Sequence, residues 1–215
     1  MASHTDYDTD RTPEKPRQAP SGAWMRFYPR SRWAKLLWQA PLILWRLGLG
    51  PLSGKLFVVL TVRGRKSGLP RRTMLEYYEL NGNKYVTCAF GERAQYYRNI
   101  LADPQVTIQT AAGTESARAV RVTDDDEFIA VYELFKRRDP PLFFAYLNAL
   151  DVEPTVEDAL IHKDRIYFLR FEPTPAASLP GLEVDLAWLW PVLFLMLVAL
   201  RWLSSKLFIQ NRSSR

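Results

Sequence analysis

The residues best suited to chemistry crowd into one short stretch. Between Leu60 and Met74 the sequence reads LTVRGRKSGLPRRTM, in which Arg63, Arg65, Lys66, Arg71 and Arg72 surround Gly64, Gly68 and Pro70. Glycines let backbone N–H groups converge on an anion, and fixed guanidinium groups give paired, charge-assisted bonds to phosphate or carboxylate. The stretch predicts a site for a ligand with several negative charges. A solvated basic turn is the plain alternative. A nucleic-acid contact is the other, but nucleic-acid readers show wider basic faces or exposed aromatic platforms, so no such partner is expected.

Other chemistries lack their residues. Cys88 is the only cysteine and His162 the only histidine besides His4, so no internal disulfide forms and a reducing compartment is the natural setting. A His/Cys metal site has too few ligands, and a Ser-His or Cys-His hydrolase has only one candidate base. The G-x-S-x-G, G-x-G-x-x-G and Walker patterns are absent. The 215 residues allow one packed domain with appendages, and 47% hydrophobic with 24% charged residues exclude general disorder. The net charge of +6 suits an anionic cofactor, lipid headgroups or nucleic acid and does not choose among them.

The elements that must position the basic turn read as β structure. Lys55 to Val62 is a short β-branched run suited to a buried strand. Thr73 to Leu80 and Lys84 to Ala89 flank Asn81-Gly82-Asn83, a strong hairpin signal. Gln105 to Thr110 and Ser116 to Val122 make a second hairpin, and Arg165 to Phe171 a last strand. Helices are expected over Glu92 to Ala102, over Asp124 to Arg137 with Thr123 as N-cap, over Leu142 to Leu150 and over Thr155 to Ile161. Regular strand–helix alternation is missing, which disfavours a parallel sheet. The expected class is mainly β with helices (α+β), a split β-barrel with helical caps.

The expected domain boundaries are a disordered tail over 1–23, an amphipathic or apolar helix over 24–51, the barrel domain over 52–173 and a linker over 174–184. A membrane-anchoring helix over 185–209 and a basic tail over 210–215 follow. Aspartates 6, 8 and 10 and the lack of an early apolar run argue against a signal peptide. Trp33 to Leu49 has helical apolar spacing with Pro41 expected to kink it, and suits either the headgroup layer or packing on the barrel. Leu186 to Leu200 holds no charge and, with a snorkelling Arg201, approaches the ~20 residues of a spanning helix. The positive-inside tendency would place the barrel outside the cytosol; a helix dipping into one leaflet instead leaves the barrel cytoplasmic, and that arrangement is the one expected.

With these residues in place, Leu60 to Thr73 followed by Gly91-Glu-Arg-Ala-Gln-Tyr-Tyr-Arg-Asn-Ile-Leu-Ala-Asp-Pro-Gln-Val-Thr-Ile-Gln resembles the deazaflavin-dependent nitroreductase family. That family typically has T-T-G-R-K-S/T-G-x-P-R and then W-Y-x-N-L-x-A-N-P-x-V. The likeness covers about Phe57 to Pro173. It implies a split β-barrel and coenzyme F420, a deazaflavin with a phosphate and a glutamate tail. Carried over residue by residue, it implies that Lys66 and Arg71 hold the phosphate or tail carboxylates, with Arg72 and Thr73 lining the same groove and Ser67 also cofactor-binding. Cys88, Ala89, Phe90 and Gly91 would then lie along the ring, with Tyr96 and Tyr97 flanking ring or substrate. Tyr97 and Cys88 are the implied catalytic candidates, although a buried thiol acting as a small hydrophobe is the simpler role for Cys88. The chain departs from the family pattern at Met74, where proline is common, at Cys88, where serine is common, and in a shortened loop before Tyr96.

The resemblance implies hydride transfer from the reduced deazaflavin to an apolar acceptor, a quinone or nitroaromatic, at the membrane. Phe143, Phe144 and Tyr146 are candidates for an acceptor-side lid or for ordinary core. The alternatives are an FMN-dependent split-barrel reductase and a non-catalytic membrane-associated lipid or cofactor carrier. Expected partners are the acceptor, membrane lipid and a second copy in a homodimer; no metal is expected.

Overall fold

The computed structural model describes residues 41–176 and 179–213, with side chains up to residue 202. The expected tail, and the proposed helix up to residue 40, lie outside the described residues. The chain is helical from residue 41 and breaks at Gly48 (φ +87°) within a π-helical turn, Trp45–Leu49; the kink expected at Pro41 falls at the edge of the described residues. A short helix α1, Gly50–Ser53, follows.

Six strands close into one barrel: β1 Phe57–Arg63, β2 Pro70–Leu80, β3 Asn83–Thr87, β4 Gln105–Thr110, β5 Gly113–Arg121 and β6 Phe168–Pro173, in the order β1-β2-β3-β6-β5-β4. Every neighbouring pair is antiparallel. The Asn81-Gly82 turn has positive φ at both residues, as a two-residue hairpin requires. Val58, Leu60, Val62, Val86, Val106, Ile108, Leu169 and Phe171 fill the barrel interior. Their alternation along the strands matches the two-residue period of the pleat.

A second core lies outside the barrel, under helices α3 Asp125–Arg138, α4 Pro140–Ala149 and α5 Val156–Ile161. Phe168 sits at its centre, with Phe135 stacked on it at 5.4 Å between ring centroids. The N-cap of α3 is Asp124, one residue later than expected, because its carboxylate accepts from the Glu127 N–H at 2.9 Å. Asp139 and Thr155 cap α4 and α5 in the same way. The segment expected as one helix before Asp103 divides into a 3-10 turn, Gly91–Arg93, and helix α2, Gln95–Ala102.

After β6 the chain doubles back as a strap over the outer face of β4. The Thr107 hydroxyl donates to the Leu179 carbonyl. The Gln109 amide clamps Leu182, accepting from its N–H at 2.5 Å and donating to its carbonyl at 3.1 Å. Asp185 pairs with Arg46, and the Trp190 indole donates to the Leu47 carbonyl at 2.8 Å. Helix α6, Leu189–Ser213, then leaves the barrel with Trp190, Phe194, Leu195, Leu197 and Trp202 exposed.

The expectation of a spanning helix is corrected here. No helix among the described residues is long and apolar enough to cross a membrane. The helix begins only at Leu189, so its charge-free part ends after Leu200, a rise of about 18 Å at ~1.5 Å per residue against a hydrocarbon core of ~30 Å.

Candidate functional site

The basic turn is the β1–β2 hairpin loop. Strand pairing ends at Arg63↔Pro70, and the loop folds on the Gly64 carbonyl, which accepts from the N–H groups of Ser67 (3.1 Å) and Gly68 (2.7 Å). Gly68 takes φ +68°, a conformation glycine adopts at no steric cost. A Cβ on Gly64 would lie 2.9 Å from the Ser67 hydroxyl and 3.1 Å from the Leu69 carbonyl, so a side chain there would have to shift its neighbours in the turn.

Helix α2 fixes the loop from below. Asn99, almost fully buried, accepts on Oδ1 from both the Arg65 backbone N–H (3.2 Å) and its guanidinium (2.9 Å). Gln95, one turn earlier, accepts from the other arm of that guanidinium at 3.0 Å. Loop and helix then bound a cavity of about 690 Å³. One part of its wall is cationic and polar (Arg65, Lys66, Ser67, Arg71, Arg72, Thr73), and another is apolar (Met74, Leu75, Ala89, Phe90, Tyr96).

The charge balance of this wall is one-sided. Among the described residues no carboxylate lines the cavity, and Lys66, Arg71 and Arg72 have no acidic partner. Cations elsewhere do: Arg63 pairs with Asp103, Lys84 with Glu115 and Arg170 with Glu127. Two residues of the lining, Arg72 and Thr87, each keep a polar atom (Nε and Oγ1) buried without a hydrogen-bond partner among the described residues. Buried unsatisfied polar groups are costly and rare, and here two of them belong to residues of the cavity wall. The wall fits an anionic group next to a flat apolar one.

The structure brings Lys66, Ser67, Arg71, Arg72, Thr73, Ala89, Phe90 and Tyr96 together around this cavity. Cys88, Gly91 and Tyr97 stand behind its wall. Cys88 is fully buried in the barrel core, where its thiol donates to the Gly91 carbonyl at 3.5 Å, and burial pushes the thiol up to about 11. Burial likewise holds the Tyr96 phenol well above its ordinary range. Tyr97 packs edge-on against Tyr167 at 5.2 Å, beneath an Arg121 guanidinium stacked 4.0 Å over the Tyr167 ring. Gly91 (φ +48°) lies flat against that same ring. The lid candidates serve as packing: Phe143 and Tyr146 are buried in the second core, Phe144 is partly exposed, and none lines the cavity.

Sequence reasoning missed Asn99 and Gln95, which anchor the loop, and Met74, Leu75 and Thr87, which complete the wall. The signal for the first two was present: Gln95 and Asn99 are spaced i, i+4, so one helical face offers two amides to the same arginine.

Residues 48–148 match the family described as F420H(2)-dependent quinone reductase. No curated protein matches the chain. Among solved structures, an F420-H2 dependent reductase (FDR-A) is 21% identical over 54% of this chain and 93% of its own, with a TM-score of 0.43. The heme storage protein HutZ from Vibrio cholerae is 16% identical over 67% and 96%, with a TM-score of 0.40. A putative pyridoxamine 5'-phosphate oxidase from Listeria innocua is 12% identical over 61% and 90%, with a TM-score of 0.38. Residues 48–148, just under half of the chain, thus match the F420H(2)-dependent quinone reductase family, which supports an oxidoreductase with coenzyme F420 as its cofactor.

Proposed function

We propose that this protein reduces a lipid-soluble quinone at the surface of a membrane, with the barrel on the cytoplasmic side. The observation that carries the reading is the cavity wall, with carboxylate-free cations on one part and an apolar bed on another. When bound, reduced F420 supplies the hydride.

Lys66 and Arg71, both on the cationic wall, bind the phosphate and tail carboxylates, and Ser67 and Thr73 add hydroxyl donors. Ala89, Phe90 and Met74 bed the ring and exclude water, which strengthens every charge contact beside it. Tyr96, on the apolar part of the wall, sets the ring's lateral position. A hydride and one proton convert quinone to quinol. Among the described residues neither histidine nor carboxylate lines the cavity, and solvent or the Tyr96 phenol supplies the proton.

Exposed apolar residues on successive turns of α6 support attachment in one leaflet. Val192, Leu193, Phe194, Leu195, Met196 and Leu197 are all about half exposed or more, and such a helix buries this surface by lying among acyl chains. A bilayer also concentrates an apolar acceptor. Nitroaromatics fit the same apolar wall and are expected as adventitious acceptors.

The test mixes the full chain anaerobically with reduced F420 and phospholipid vesicles containing a naphthoquinone, and follows recovery of the oxidised cofactor's absorbance. Vesicle-dependent oxidation is expected. Failure to oxidise F420 with any quinone, in vesicles or detergent, overturns the reading.

A further inference from the structure

Resting on the F420 reading, we infer that the C-terminal strap, which lies outside the family-matched residues 48–148, is a working part of the cofactor site because it positions Arg72. The Arg72 Nη2 group donates to the Gly181 carbonyl at 3.1 Å and reaches the Pro180 carbonyl at 3.4 Å. Both acceptors belong to the strap. The same guanidinium lines the cavity and keeps its Nε–H buried and unpartnered among the described residues. A guanidinium carries five donors in a rigid plane, so fixing one corner fixes the direction of the rest.

The chemistry of the two acceptors matters. A carboxylate partner, such as Asp103 on Arg63, would orient an arginine and also cancel its charge. Neutral carbonyls orient Arg72 and leave its full charge for an anion. The strap thus preorganises a cation in the groove without neutralising it, which lowers the ordering cost of binding.

The strap's own position is set by Gly181. A Cβ at that residue would lie 2.7 Å from Gln109 Cδ and Nε2, and the Gln109 amide can retreat only by giving up its bonds to both polar groups of Leu182, which themselves hold the strap. Any side chain at 181 therefore lifts the strap and shifts the carbonyls that hold Arg72. Neither Gly181 nor Gln109 lines the cavity. Binding of the anionic part of the cofactor should depend on two residues that do not touch it.

The experiment titrates the full-length protein with F420 and with the tail-free deazaflavin chromophore, which lacks phosphate and glutamates, following fluorescence. Gly181→Ala and Gln109→Leu are each expected to bind F420 about tenfold more weakly and the tail-free chromophore as tightly as the unaltered chain. In an Arg72→Ala background, Gly181→Ala should have no further effect on F420, the signature of two residues acting through one contact. If folded Gly181→Ala and Gln109→Leu bind F420 like the unaltered chain, or weaken both ligands equally, the strap has no positioning role. Should Gly181→Ala fail to fold, Gln109→Leu decides alone. If the unaltered chain binds the tail-free chromophore but not F420, the strap proposal falls and a ring site remains. If it binds neither, the cofactor reading falls too.

Discussion

Replacing Asn99 separates how the basic loop is held from how the cavity attracts an anion. Asn99→Ala deletes the acceptor for the Arg65 N–H at 3.2 Å and for its guanidinium at 2.9 Å. A neutral hydrogen bond contributes about 0.5–1.5 kcal/mol and one to a charged group about 1.5–3 kcal/mol. Arg65 is exposed, so water replaces part of the loss, and we expect a net cost of about 1–2 kcal/mol. At roughly 2–4 °C per kcal/mol for a domain of this size, thermal melting should fall by about 2–8 °C. F420 affinity should fall about tenfold, because the loop must be ordered again on binding. Asn99→Asp keeps both bonds and charges one of them, so melting should hold or rise. It also places a negative charge in a cavity that has none. For two unit charges ~7 Å apart at an effective dielectric of ~20, repulsion is about 2 kcal/mol before screening, so a ligand anion at such a range would bind more than tenfold more weakly. Calorimetric melting and a fluorescence titration of both variants check the scheme. An Asn99→Ala protein with unchanged melting and affinity, or an Asn99→Asp protein that binds F420 more tightly, would refute the reasoning.

Three further outcomes follow from the same structure. Lys66→Ala and Arg71→Ala should each weaken F420 binding by about 1.5–3 kcal/mol and flatten its salt dependence, with melting nearly unmoved because both side chains are exposed; titrations at two ionic strengths decide it. In urea unfolding, Gly68→Ala should lose only about 1 kcal/mol, from φ +68° in open space. Gly91→Ala should lose about 2–4 kcal/mol, because its Cβ would meet the Tyr167 ring at 2.9 Å at φ +48°; equal losses would contradict the packing. The Cys88 thiol, pushed up to about 11 by burial, should resist alkylation at neutral pH. A raised pKa favours the protonated folded form, so that stability is intact below about 9, the ordinary thiol value, and is lost as pH rises through about 11. Rapid iodoacetamide labelling of the folded chain at pH 7.5 would show the thiol to be accessible instead.

Much of this was legible in the residues, and the gaps have physical causes. Asn81-Gly82 and the alternation of Val58, Leu60 and Val62 announced the hairpins and the inward face, because a two-residue period survives in sequence. The cationic loop was legible because glycines and arginines cluster locally. Its anchoring was not: the Arg65–Asn99 contact spans 34 residues, and only the folded chain brings them together. Cys88 and Tyr97 sat next to recognised motif residues, yet alternation along β3 and the helical turn of α2 sent them inward. The apolar run at the C-terminal end overstated the helix, since Leu186 to Trp188 belong to the approach, where the Leu186 N–H bonds back to the Arg46 carbonyl.

The place of β6 governs how the protein can be handled and how it must be made. This strand, Phe168–Pro173, is the last of the six in the chain, yet it sits between β3 and β5. The barrel therefore stays open during synthesis until nearly all of it has left the ribosome. Until then, β3 and β5 expose unpaired backbone edges of the kind that template aggregation. An expression fragment cut to residues 48–148 would carry those two open edges permanently. A boundary chosen from sequence similarity would thus yield insoluble material, while one drawn beyond Pro173 would restore a closed, edge-free barrel.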